Sequence, residues 1–173
     1  MRSYLGVALL TVTAALSCNG VVHADPPAAS KAVKSVDGKY FDQQGNPTYN
    51  IKPDGTVDWY TDSGYIRYSE SCLRCHGPDG LGSSYAPSLV DALKTMNYDQ
   101  FLATVAAGKT AVNTAQDLVM PAFGTDKNVM CVIDDIYVYL RARSDGALGR
   151  GRPEKHEDKP AAATKWQNTC FGP

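Results

Sequence analysis

The chain is short of histidine, of net charge and of long apolar runs, and each shortage narrows what it can be. It contains 3 histidines. His23 falls in the N-terminal stretch and His156 in a charged tail, so a zinc centre built around any cysteine would lack its further ligands. The formal net charge is −1, which supplies no basic field for nucleic acid and leaves protein partners open. The longest apolar stretch, Tyr4 to Leu16, falls short of the ~20 residues that span a bilayer. No internal repeat is visible. At 173 residues with 43% hydrophobic and 20% charged content, the chain fits one ordinary globular domain.

That N-terminal stretch has another reading. Arg2 precedes it, and Val22-His23-Ala24 follows with a small residue before Asp25. This is the layout of a secretory signal peptide over residues 1–24, cleaved after Ala24, which places the protein in the periplasm. A lipoprotein signal ending at Cys18 is the alternative, although Leu16 stands one place late for it. Cleavage after Ala24 removes Cys18 and leaves Cys72, Cys75, Cys131 and Cys170, an even number in an oxidising compartment.

Residues 25–36 are rich in Ala, Pro and Lys and read as a lead-in. From 37 to 62, turn signals at Asp37-Gly38, Gln44-Gly45-Asn46-Pro47 and Pro53-Asp54-Gly55 alternate with short β-prone pieces, which predicts two or three short strands. Helical patterning begins near Gly64. It predicts helices over about 65–76, 88–95 and 98–108, and a longer one from an Asp126 cap carrying Val129, Val132, Ile133, Ile136, Tyr137 and Leu140. Residues 144–173 lose the stripe and read as an irregular tail.

Cys72-Leu73-Arg74-Cys75-His76 carries the chemistry. Covalent haem attachment needs two thiols that reach the porphyrin vinyl groups and an imidazole that reaches the iron from the same side. Positions i, i+3 and i+4 of a helical turn share one face, so Cys72, Cys75 and His76 meet all three demands. The string C-x-x-C-H is the sign of one covalent haem c. A thioredoxin-like pair would want a preceding strand and a βαβ setting, which are not seen.

A sixth ligand is expected from methionine. Met96 and Met130 fall at apolar or flanking helix positions, where methionine is a gap-filler. Met120 lies in Val119-Met120-Pro121-Ala122-Phe123-Gly124, a loop before the last helix, where proline blocks helix formation and frees the thioether. Met120 is therefore the expected ligand and Met130 the second choice. With both axial positions filled, no iron site remains for substrate, so the expectation is an electron-transfer protein and not an enzyme. The alternatives are a haem enzyme or gas sensor with an open iron site.

Cys131 and Cys170 have two readings, a redox pair or a structural disulfide that tethers the tail; the second suits an exported tail without a core of its own. Arg141, Arg143, Arg150, Arg152 and Lys155 form a basic stretch that either docks on an acidic partner surface or is simply solvated. No carboxylate cluster shows calcium-ligand spacing.

These residues resemble the class I cytochromes c over roughly 64–143. Gly64 and Tyr68 stand eight and four residues before Cys72, where that family's first and last helices cross. Pro87 stands where the family's proline carbonyl accepts a hydrogen bond from the haem histidine, and the Met-Pro-x-Phe string matches the ligand loop. The resemblance implies an all-α cytochrome c domain over 64–143, preceded by an extension of short strands over 25–63 and followed by the tail over 144–173. Further strings, among them Asp37-Gly38-Lys39-Tyr40-Phe41, Thr56-Val57-Asp58-Trp59-Tyr60, Gly77-Pro78-Asp79-Gly80-Leu81-Gly82 and Gly149-Arg150-Gly151-Arg152-Pro153, resemble the cytochrome cL-like acceptors of quinoprotein methanol dehydrogenases. The branch paired with lanthanide-dependent enzymes is the most similar. That resemblance implies transient electron uptake from a PQQ methanol dehydrogenase and delivery to a small downstream cytochrome c. An electron carrier for another periplasmic dehydrogenase is the alternative.

Overall fold

The computed structural model describes residues 30–112 and 117–172. The expected leader, 1–24, and Cys18 lie outside the described residues. The element order is β1 (Lys34–Val36), β2 (Lys39–Phe41), β3 (Pro47–Thr48), α1 (Trp59–Ser71), α2 (Leu73–His76), α3 (Leu89–Ala92), α4 (Tyr98–Ala107), β4 (Lys109–Val112), β5 (Asp117–Met120), α5 (Lys127–Met130), α6 (Ile133–Ser144) and α7 (Ala161–Phe171).

The extension forms an antiparallel sheet in the order β1-β2-β3. Asp37 and Gly38 adopt φ of 51° and 80° and close the two-residue turn that pairs Val36 with Lys39, the geometry that matches strand twist. Lys39 Nζ reaches Asp134 Oδ2 on α6 at 2.8 Å, holding the sheet to the helices. Tyr49 packs in a small buried cluster with Val138, Ala142 and Ala147.

Asp58 starts α1. Its carboxylate accepts from the Thr61 N–H at 3.0 Å, the Thr61 hydroxyl at 2.7 Å and the Asn50 N–H at 2.8 Å, satisfying donors that a helix start leaves open. Cap placement therefore begins the helix at Trp59, earlier than apolar periodicity suggests.

The central packing is α1 across α6. A Cβ built on Gly64 would lie 1.9 Å from the Asp135 carbonyl oxygen and 2.7 Å from Tyr139 Cβ. Only glycine allows this approach. Around it, Tyr68, Ile136, Tyr139 and Leu140 are buried with Leu93, Phe101, Val105, Val129, Val132, Ile133 and Tyr137. Tyr139 meets Tyr65 edge-on at 5.5 Å and Tyr68 at 5.6 Å between centroids, contacts worth about 0.5–1.5 kcal/mol beyond area burial. Its hydroxyl is buried without a hydrogen-bond partner among the described residues.

Three expectations are corrected. The single helix from Asp126 is broken into α5 and α6 at Cys131 and Val132, and Val132 has φ −131° and ψ 19°. The break coincides with the Cys131 disulfide to Cys170 and with donation from Trp166 Nε1 to the Cys131 carbonyl at 2.7 Å. The supposed loop carrying Met120 includes an antiparallel hairpin, with Lys109 opposite Met120 and Val112 opposite Asp117. Short strand pieces set off by Gly108 were too brief to register as a pattern.

The third correction is the tail, which is irregular only in its first half. Residues 161–171 form α7, favoured by Ala161-Ala162-Ala163 after Pro160. Before it, the chain runs alongside the extension. Val57 N–H donates to the Lys155 carbonyl and Glu157 N–H to the Val57 carbonyl, both at 3.0 Å.

Candidate functional site

α1 delivers the attachment string. Cys72 closes that helix and opens α2, and its carbonyl accepts from the N–H of Cys75 at 3.1 Å and of His76 at 2.9 Å. The two thiols and the imidazole are therefore carried by one helical turn, as the spacing requires. Neither thiol is in a disulfide. Cys72 is half-buried and Cys75 exposed; burial, and then the neighbouring Cys75, push the Cys72 thiol up to about 11. It stays protonated at neutral pH.

His76 is buried at 8% exposure. Its Nδ1 lies 2.9 Å from the Pro87 carbonyl oxygen. That oxygen can only accept, so Nδ1 carries the proton and Nε2 is the nitrogen left for a metal. Gly82 N–H donates to the His76 carbonyl at 2.7 Å. Tyr68 Oη donates to the Gly77 carbonyl, while Gly80 N–H donates to Tyr68 Oη at 3.1 Å. Gly77, at φ 71°, has no room for a side chain, since its Cβ would fall 2.2 Å from the Gly82 carbonyl oxygen.

Met120 ends β5 and is partly buried against the main core. Its backbone is held by close approach, because a Cβ on Gly108 would lie 2.6 Å from the Met120 carbonyl oxygen. The following residues are tied to the end of α4, with Phe123 N–H on the Val105 carbonyl and Gly124 N–H on the Ala106 carbonyl, both at 3.0 Å. Met96 and Met130 also pack on the core, but Met130 is fixed within α5. Met120 alone of the three is carried on the hairpin.

Exposed apolar side chains stand close to these donors in the chain. Leu73, Leu81 and Tyr85, all within the attachment segment, and Val119, beside Met120, are 36%, 45%, 70% and 67% exposed. Large apolar side chains left in water next to the ligand donors are what a flat hydrophobic group would cover. The donor set of two thiols, one imidazole and one thioether fits haem c. Among the described residues no group of three or more His, Cys, Asp or Glu is placed to hold a bare metal ion.

Cys131 and Cys170 are joined in a disulfide with Cα atoms 5.8 Å apart. It ties α7 to the α5–α6 junction. The basic stretch is held internally. Arg141 pairs with Asp145 at 3.1 Å, Arg150 with Asp79 at 2.9 Å and Arg152 with Asp62 at 3.2 Å. Arg143 is buried and donates to the Leu148 carbonyl at 2.7 Å. Sequence reasoning missed Asp79 altogether. Its partners lie more than 60 residues away, and local pattern carries no such signal.

The chain is similar to known cytochromes. The model of the family described as cytochrome C oxidase, cbb3-type, subunit III matches residues 61–140. Cytochrome c-553I of Paracoccus denitrificans is 54% identical over 135 residues, covering 78% of this chain and 60% of that protein. The match thus spans less than two thirds of that relative's length. Cytochrome c-555 of Methylococcus capsulatus is 39% identical over 100 residues, 57% of this chain and 75% of that protein. The crystal structure of c-type cytochrome XoxG from Methylobacterium extorquens AM1 superposes with a TM-score of 0.76 at 54% identity, covering 82% of this chain and 87% of that one.

Proposed function

We propose that this chain, which belongs to the class I c-type cytochromes and so carries electrons on a covalent haem c, holds that haem through Cys72, Cys75, His76 and Met120. The observation that carries the assignment is the pairing of His76 Nδ1 with the Pro87 carbonyl at 2.9 Å, beside two unpaired thiols on the same turn. When bound, the haem supplies a one-electron iron couple.

The chain's own residues do the rest. The Pro87 carbonyl fixes the plane and tautomer of His76 and raises its basicity as a ligand. Met120 would hold the haem as the second protein ligand beside His76, a pairing that would raise the potential and leave no ligand position for substrate. Cys72 and Cys75 make the attachment permanent, so ligand geometry survives each change of oxidation state. The exposed apolar side chains Leu73, Leu81, Tyr85 and Val119 would exclude water from a bound haem, which would lower the local dielectric and the reorganisation that accompanies electron transfer.

The electron source in this reading is the reduced quinone of a PQQ-dependent methanol or alcohol dehydrogenase, met in a transient encounter, and the acceptor is a small downstream cytochrome c. The setting is the periplasm, reached through the leader over 1–24. The resemblance of the extension and tail supports the partner, as does 54% identity to the cytochrome named XoxG over most of both chains. No described helix is long and apolar enough to cross a membrane.

Mixing the oxidised holoprotein with substrate-reduced PQQ methanol dehydrogenase tests the partner. Reduction of the haem within the enzyme's turnover time is expected. A haem that stays oxidised with this donor, yet is reduced by another periplasmic dehydrogenase, would replace the partner and keep the carrier role.

A further inference from the structure

Two described non-glycine residues have positive φ, Asp37 and Asp79. Asp37 belongs to the hairpin turn that calls for it. Asp79 does not: it is 7% exposed, has φ 60°, and sits in a tight 3-10 turn three residues after His76. Left-handed backbone is disfavoured for residues with a side chain, though less for Asp than for most, and here the surroundings hold it.

They hold it from the C-terminal tail. Asp79 Oδ1 accepts from the Gly151 N–H at 2.8 Å and Oδ2 from Arg150 Nε at 2.9 Å. The Asp79 carbonyl accepts from Arg143 Nε at 3.4 Å. One position on, Arg152 grips Asp62 in the first turn of α1 through Nε and Nη2, both at 3.2 Å. The segment 150–152 thus bridges the start of the helix that delivers Cys72 and the turn that follows His76. Burial would raise the Asp79 carboxyl, but the Gly151 N–H and the Arg150 guanidinium hold it below its ordinary value, and it is ionised at neutral pH.

Arg150 meets Asp79 with 71% of its side chain exposed while the Asp79 side chain is 7% exposed, so the contact pairs a buried carboxylate that would be costly left alone. The contact lies in the turn after His76, where Gly82 N–H donates to the His76 carbonyl and the Gly77 carbonyl accepts from Tyr68 Oη.

We propose that Arg150 and Gly151 act through Asp79 as a latch that positions His76, setting the angle at which its imidazole meets the haem iron. Asp79 and Arg150 are positioning residues in this account. The imidazole is fixed from two sides, its ring by Pro87 and its backbone by the latched turn. This inference rests on the reading that His76 is an iron ligand.

The test uses the full haem-loaded protein and the variants Asp79→Gly, Arg150→Ala and Asp79→Asn. Asp79→Gly removes the carboxylate while relieving the backbone strain, and Arg150→Ala alters an exposed side chain, so thermal melts should show both folded. The readouts are the ferric electron paramagnetic resonance g-values, which report ligand orientation, and the midpoint potential. Asp79→Gly and Arg150→Ala are expected to move the g-values to one shared new set. They should also shift the potential in one direction, although one removes a negative and the other a positive charge. Asp79→Asn keeps an oxygen for the Gly151 N–H and should fall closer to wild type than Asp79→Gly. Potentials that shift in opposite directions with unchanged g-values would reduce the pair to a charge effect and overturn the latch, as would no change in either readout. A wild-type protein without a low-spin ferric signal would overturn the His76 reading itself, and the latch with it.

Discussion

The attachment segment and the C-terminal tail are organised at opposite ranges of sequence. Between Cys72 and Pro87 the working contacts are short: Cys72 to His76 across one turn, and His76 to Pro87 across 11 residues. The tail makes its contacts over 71, 72 and 90 residues, from Arg150 and Gly151 to Asp79 and from Arg152 to Asp62. One region holds the donors, and the other holds the region in place. A covalent cofactor site can be written as a short string because its geometry is set by one helical turn, whereas a tether depends on where distant segments meet.

The contrast is broken most severely by removing the string. Replacing Cys72 and Cys75 together by alanine should abolish covalent haem, read as loss of haem staining on a denaturing gel, while the tail's disulfide remains. Retention of stained haem would move the attachment elsewhere.

Next in size is the helix crossing beneath the site. Gly64→Val places a side chain where 1.9 Å separates a Cβ from the Asp135 carbonyl oxygen. It should cost more than about 4 kcal/mol or prevent folding, measured by denaturant unfolding. A loss under 1 kcal/mol would mean that α1 and α6 part easily, and that the donors need no rigid platform.

The tail should fail more gently. Serine at both Cys131 and Cys170 opens a closure of sequence separation 39, worth about 3–4 kcal/mol by chain entropy. Haem attachment should survive. Loss of attached haem in that variant would show that the two regions form as one unit.

The smallest expected effect is on pH dependence. Burial pushes the Asp135 carboxyl up to about 7 against a hydrogen bond from Ser63 that lowers it, and burial pushes Asp58 up to about 6. Both folded-state values lie above the unfolded one. The folded state therefore binds more protons, and stability present at pH 4 is lost as pH rises through 6 and 7. Asp135→Asn should flatten that decline, seen as a smaller drop in Tm between pH 5 and pH 8. An unchanged slope would assign the titration to another group.

The same contrast explains what could be read in advance. Cys72, Cys75 and His76, the Asp37-Gly38 turn and the strand-rich extension each follow from local chemistry, Gly64 from the family resemblance, and each has a visible place in the structure. Met120 was legible as a residue but not in its setting, since a hairpin of four-residue strands that starts just after Gly108 leaves almost no periodic trace. α7 was obscured because charge and proline around it hide a helix that is held from outside by Cys131, through the disulfide to its Cys170 and the bond from its Trp166. Asp79 was invisible for a different reason: its meaning lies in Arg150 and Gly151, and nothing near it in the chain names them.

The most direct measurement of the central claim is axial ligation in the holoprotein, by ferric absorbance in the red and carbon monoxide titration of the ferrous form. Closure of both positions by His76 and Met120 predicts the methionine–iron charge-transfer band and no binding of carbon monoxide, with both reversed in Met120→Ala. Rapid carbon monoxide binding to the wild type, without that band, would contradict it and leave an open iron.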